Sequence, residues 1–115
     1  ILHTLDGYDE ISLTSDFLLA TNSTPKKQYT SSYLGFENVT QEALHGGATL
    51  EDSAQIVLNV LQNQATTAQT HAAVANAGVA LAIAQNFSVA EGIEKAKESV
   101  QSGRAFGALQ KLVEG

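Results

Sequence analysis

The stretch Thr66-Thr67-Ala68-Gln69-Thr70-His71-Ala72-Ala73-Val74-Ala75-Asn76-Ala77-Gly78-Val79-Ala80-Leu81-Ala82-Ile83-Ala84 decides the fold. From Ala72 to Ala84 apolar or small residues stand on nearly every side of the helix this stretch predicts. A helix without a wet face is normally buried, so other elements are expected to wrap it. Thr66 with Gln69 three residues on forms a capping-box start, and Asn86 can close the helix in left-handed geometry. Gly78 interrupts the run at an intrinsic cost of about 1 kcal/mol relative to Ala, which close packing would offset.

Outward from this helix the periodicity stays helical on both sides. Thr49 followed by Asp52 reads as another capping signal. It precedes Leu50, Ala54, Val57, Leu58 and Leu61, which share one face and are expected inward. Ser88-Val89-Ala90-Glu91 opens a further helix with Val89, Ile93, Ala96 and Val100 inward, and Gly103 breaks it. Ala105, Phe106, Leu109 and Leu112 predict a short last helix.

Before about residue 40 the pattern changes to short apolar and Thr/Ser-rich runs between turn residues. Leu2–Leu5, Glu10–Thr14, Phe17–Ala20 and Lys27–Thr30 are the candidate strands. Ile11 and Leu13 alternate with Glu10, Ser12 and Thr14, the period of a half-covered strand. Asp6-Gly7-Tyr8-Asp9 reads as a tight loop, and Asn22-Ser23-Thr24-Pro25 as a turn. The class is therefore α/β, with strands over about 1–30, a loop over 31–48 and packed helices over 49–113.

Composition narrows the function. The 115 residues include 6 Lys and Arg against 12 Asp and Glu, a net charge of −6. That excludes the basic stripe a nucleic-acid binder needs and disfavours an anionic membrane surface. No Cys is present, which removes disulfides, zinc ribbons and cysteine nucleophiles and fits a cytoplasmic setting. No apolar run reaches the ~18 residues of a membrane span. Charged residues make up 16%, well under the typical ~25%, so part of the surface is expected to be covered. The chain opens on Ile1, without Met, inside an apolar segment, as a piece of something longer would.

The residues most suited to chemistry are Asp6, Asp9 and Glu10, three carboxylates between two candidate strands. At such a junction the backbone can aim neighbouring side chains at one point. Mg2+ suits one or two such carboxylates, because it takes hard oxygen ligands and completes its shell with water and substrate phosphates. From the spacing alone a solvated acidic turn is the commoner reading, since isolated acidic pairs are frequent on surfaces. His3, His45 and His71 lack metal-ligand spacing and read as structural. Gly46-Gly47 can hold an anion or simply turn the chain. Lys26-Lys27 is too short for a phosphate patch, and Tyr29, Tyr33 and Phe36 read as packing residues. No nucleophile motif is present.

Gly7-Tyr8-Asp9-Glu10-Ile11-Ser12-Leu13-Thr14 resembles the G-x-D-E-[IV]-S-L-T motif of the anthranilate phosphoribosyltransferase family. His3 and Asp6 match the H-x-x-D/N-G lead-in to that motif. Gly46-Gly47 with Glu51-Asp52-Ser53-Ala54 is similar to the family's G-G-D-x-E-E-N-A stretch, with one extra residue. Asn76 stands where the family has L-N-A-A, and Ser88–Leu112 resembles its closing helices. The resemblance covers nearly the whole chain but only the C-terminal third of a family member.

What the resemblance implies is the C-terminal part of a phosphoribosyltransferase/nucleoside-phosphorylase-like α/β domain. The N-terminal helical domain and the upstream part of the α/β domain would be absent. The implied reaction joins anthranilate to phosphoribosyl pyrophosphate (PRPP) with release of pyrophosphate, in tryptophan biosynthesis. The implied cofactor is Mg2+, with Asp9 ligating one ion and Glu10 bridging two. No acid or base is assigned to this segment, and its substrate-binding residues are not identified. The implied partners are PRPP, anthranilate, the missing N-terminal portion and, when complete, a second copy in a homodimer. The lone chain is expected to be inactive. Ser15-Asp16-Phe17 departs from the family's G-P-T after the motif, and Thr67-Ala68-Gln69-Thr70-His71 departs from its G-P-R-R-D. Alternative readings are a nucleoside-phosphorylase-like or noncatalytic relative of the same fold, or a small acidic interaction module.

Overall fold

The computed structural model describes residues 2–5, 10–21, 25–44 and 49–114. Three short strands come first: β1 (Leu2–Thr4), β2 (Phe17–Leu19) and β3 (Lys27–Tyr29). They form an antiparallel sheet in the order β1-β2-β3. Thr4 pairs with Phe17, and Phe17 with Tyr29. The three side chains share one face, as residues opposite each other in a ladder must. Thr4 and Phe17 are buried on that face, and the Phe17 and Tyr29 rings stack with centroids 5.7 Å apart. The exposed Tyr33 ring also packs against Tyr29, tilted, with centroids 5.1 Å apart. Two 3-10 turns, Ser32–Leu34 and Glu42–Leu44, lie in the stretch expected to be loop.

Four helices follow: α1 (Leu50–Leu61), α2 (Thr67–Gln85), α3 (Val89–Gln101) and α4 (Arg104–Glu114). Their starts are where the capping residues place them. The Thr49 hydroxyl accepts from Asp52 N–H and the Ser88 hydroxyl from Glu91 N–H, each at 3.1 Å. Thr66 and Gln69 exchange both bonds of a full capping box. Asn86 ends α2 at φ 58°, and Gly103 separates α3 from α4 at φ 84°. Asn63, also left-handed at φ 62°, turns the chain after α1 and donates from its side chain to Val100 O.

The core lies between the sheet-side segments and the α2–α3 pair. Phe17, Ile11, Leu13, Leu34 and Phe36 meet Val74, Ala75 and Val79 of α2 and Ile93 and Ala96 of α3. The two helices approach closely at Gly78 and Gly92. A Cβ on Gly78 would stand 2.7 Å from Ile93 Cα, and one on Gly92 would collide with the Gly78 carbonyl oxygen. Close packing is therefore what Gly78 serves.

Three expectations are corrected. Glu10–Thr14 is not a strand but a bent, irregular segment. Leu13 sits at φ 66°, outside the extended range, so a ladder cannot pass through it. The expected inward face of α1 is largely uncovered: Leu50 is 83% and Val57 56% exposed, while Val60 is the buried residue. Helix α2 is buried along one side only. Val74, Ala75, Gly78, Val79 and Ala82 are buried, but Ala73, Ala77, Ala80 and Ile83 are exposed, because no element among the described residues covers that side.

Candidate functional site

The segment after Glu10 is held from several directions at once. Ile11, Ser12 and Leu13 are all buried, so the alternation of a half-covered strand does not apply. The Thr4 hydroxyl on β1 donates to Glu10 O. From α2, the Asn76 side chain accepts from Ile11 N–H at 2.8 Å through Oδ1. Its Nδ2 donates to Ile11 O at 2.6 Å and to Ala72 O at 2.8 Å. Leu13 O accepts from Val39 N–H at 2.8 Å, and the Ser12 and Thr14 hydroxyls lie 2.6 Å apart. Buried peptide groups need partners. Here side chains from β1 and α2 supply those that a sheet ladder would otherwise give.

Of the two carboxylates assigned to metal, Glu10 is exposed at the start of this segment. Asp9 lies outside the described residues, as do Asp6, Gly7, Tyr8, His45, Gly46 and Gly47. Glu10 borders a groove of about 430 Å3 between α1 and α2, lined by Val57, Val60 and Leu61 on one side and Ala72 and Asn76 on the other. Among the described residues no three His, Asp or Glu side chains gather to hold a metal. Two adjacent carboxylates, Asp9 and Glu10, nevertheless offer the hard anionic oxygens that Mg2+ takes when water and phosphate complete its shell. The exposed position of Glu10 leaves room for them.

The remaining candidates have structural settings. His71 is half-buried with its ring 4.8 Å from that of Phe36, and Lys97 covers Phe36 at 5.3 Å. His3 is exposed on β1, far in sequence from His71. Lys27 lies over the Tyr29 ring at 5.5 Å. Thr4 carries no signal in the sequence that sets it apart from any strand threonine. Asn76 does: it is the polar side chain in the otherwise apolar or small stretch Ala72–Ala84 of α2, a placement that predicts a specific hydrogen-bonding task.

A sheet that packs its buried face on an α-helical pair, with a carboxylate at the clamped junction, defines a class once it is set beside known proteins. The chain belongs to the glycosyl transferase family, whose a/b domain it matches over residues 1–106. Within that class it is similar to anthranilate phosphoribosyltransferases. It is 42% identical over 112 residues to that of Christiangramia forsetii, covering 97% of this chain and 34% of the relative. It is 44% identical over 115 residues to that of Bacteroides thetaiotaomicron, covering 99% and 34%. The chain thus spans about a third of the length of the curated relatives it matches, in their C-terminal portion.

Solved structures share the fold. Anthranilate phosphoribosyltransferase from Thermus thermophilus superimposes with a TM-score of 0.86 at 25% identity, over 98% of this chain and 34% of that one. The enzyme from Saccharomyces cerevisiae in complex with PRPP and Mg superimposes with a TM-score of 0.82 at 23% identity, over 96% and 31%. A family match over residues 1–106 sets aside the interaction module of accidental resemblance. No helix among the described residues is long and apolar enough to cross a membrane.

Proposed function

We propose that this chain is the C-terminal part of an anthranilate phosphoribosyltransferase and supplies the carboxylates that hold Mg2+ against the pyrophosphate of PRPP. The observation that carries the reading is the identity of over 40% to anthranilate phosphoribosyltransferases along essentially the whole chain. The matched stretch spans the acidic junction that Thr4 and Asn76 anchor from two sides. The yeast relative's complex with PRPP and Mg supports the ligand class, and another yeast complex with 4-fluoroanthranilate supports the acceptor class.

The reaction is displacement at the anomeric carbon of PRPP by the anthranilate amine, with pyrophosphate leaving. Asp9 would hold one Mg2+ and Glu10 would bridge two. When bound, the metal stabilises the negative charge that builds on the departing pyrophosphate without needing a proton donor. The chain's own contribution is to fix the Glu10 backbone and present its carboxylate at an exposed edge. Anthranilate and most of PRPP would be met by the part of the relatives that lies beyond this chain's match.

Asp9→Asn and Glu10→Gln test the assignment, since each removes an anionic ligand while keeping side-chain volume. In the chain complemented by the upstream two-thirds of a relative, both should raise the Mg2+ concentration needed for half-maximal rate. Losing a ligand should cost no less than the about tenfold that losing a ligand's supporting partner costs. Glu10→Gln should be the more severe. Steady-state rates across a magnesium titration read the effect, and wild-type dependence in both variants would contradict the assignment.

A further inference from the structure

The Glu10–Ile11 peptide is gripped at both ends by side chains from elements far apart in sequence. Its carbonyl accepts from the Thr4 hydroxyl, and its N–H donates to Asn76 Oδ1. Asn76 also donates to Ile11 O, so the next carbonyl is fixed by the same side chain. The third bond, to Ala72 O one turn back on α2, fixes the amide orientation that makes this two-way exchange possible. Thr4 is wholly buried and Asn76 half-buried, each on a regular element. Groups so placed hold geometry better than loop side chains do.

We infer that Thr4 and Asn76 are positioning residues for the Glu10 carboxylate, acting as a two-sided clamp on the peptide that follows it. The inference rests on the metal-carboxylate reading of Glu10. Holding that peptide plane anchors the Glu10 Cα, which lies in it, between β1 and α2. The Glu10 Cα–Cβ bond then moves only by rotation about the anchored Cα–C axis, so less motion remains to be ordered when a cation binds. Without the clamp the carboxylate would have to be immobilised at the moment of binding, and the cost would appear as lost affinity. A role confined to satisfying buried peptide groups makes a different prediction, since it touches stability and leaves metal affinity alone.

The test uses the full 115-residue chain complemented by the upstream two-thirds of a relative. Mn2+ with inorganic pyrophosphate is the probe, and paramagnetic broadening of the Ile11 amide signal is the readout. Thr4→Val removes the donor at nearly constant volume, whereas Thr4→Ser restores it. Asn76→Asp keeps the acceptor for Ile11 N–H but loses both donated bonds. Thr4→Val and Asn76→Asp should each weaken Mn2+ binding about tenfold, the low end for losing a group that orients a metal ligand. Thr4→Ser should bind as the unaltered protein does. Amide hydrogen exchange at Ile11, measured without metal, should quicken in Asn76→Asp while α3 amides keep their protection, which separates loosening of the clamp from unfolding. Glu10→Gln distinguishes the two levels of the account. If it abolishes Mn2+ binding while Thr4→Val and Asn76→Asp bind normally, the clamp inference alone is overturned. If Glu10→Gln itself binds Mn2+ normally, the metal reading falls and takes the inference with it.

Discussion

Ser31 buries its hydroxyl with no hydrogen-bond partner among the described residues, while its backbone carbonyl receives both Leu34 N–H and Phe36 N–H. An unsatisfied buried hydroxyl costs about 1–3 kcal/mol of desolvation. Ser31→Ala should therefore be neutral or raise stability by about 1 kcal/mol, read as an upward shift of the thermal midpoint; a clear drop would mean the hydroxyl has a partner. At the same scale the sequence was only half legible around Glu10. Ile11 and Leu13 are inward as their spacing implies, and both are fully buried. The pattern could not reveal that Ser12 between them is buried too, or that Leu13 takes φ 66°. The segment is held by distant partners that no local window contains: Asn76, which takes both polar groups of the Ile11 backbone, and Val39, whose N–H donates to Leu13 O. The proposed Asp9–Glu10 ligand pair rests on its motif, because a ligand set is proposed from residue types and short spacing.

At the scale of elements, caps and breaks were readable and faces were not. Thr49, Thr66, Ser88, Asn86 and Gly103 act where their local chemistry puts them. Gly78 announced a close approach, but its counterpart Gly92 did not, since a contact between two helices leaves no trace in either one's periodicity. Gly92→Ala should cost about 1–3 kcal/mol by overpacking, because its Cβ would meet backbone rather than a side chain that can move aside. Gly107→Ala on α4 meets nothing within 4 Å and should stabilise the helix by up to about 1 kcal/mol. Paired chemical denaturation of the two variants checks both signs; equal effects would contradict the helix-crossing account.

The α3–α4 corner adds a pH dependence. Arg104 donates to Glu98 at 3.0 Å. This hydrogen bond, followed by the guanidinium charge and a smaller contribution from Lys95, holds the Glu98 carboxyl below its ordinary value. A carboxyl with a lowered folded pKa lends stability above its unfolded pKa and loses it as pH falls through the folded one. The pair is exposed, so the contribution is small and screened by salt. Arg104→Gln should thus lower stability slightly at neutral pH at low ionic strength, with the difference from the unaltered chain vanishing in acid and in high salt. A difference that persists in both would point to packing by Arg104 instead.

At the scale of the whole molecule, the low charge content and the uncovered apolar sides of α1 and α2 belong together. Leu50, Val57 and Ile83 are all more than half exposed, and large exposed apolar surfaces mark interfaces. The relatives are about three times as long as the stretch matched here. If their upstream portion covers these faces, adding it to the chain should raise the thermal midpoint and sharpen the transition, as any partner that binds only the folded state must. Sedimentation should show the lone chain self-associating and the mixture forming a defined complex. A monomeric, cooperative melt of the lone chain, unchanged by the added portion, would contradict this. The central claim, that this chain completes a phosphoribosyltransferase site, is tested most directly by pyrophosphate release. The purified chain, the upstream portion and their mixture would each be supplied with PRPP, anthranilate and Mg2+. Only the mixture should release pyrophosphate, and only when both anthranilate and Mg2+ are present. Turnover by the chain alone, or a well-folded complex that releases none, would contradict the claim.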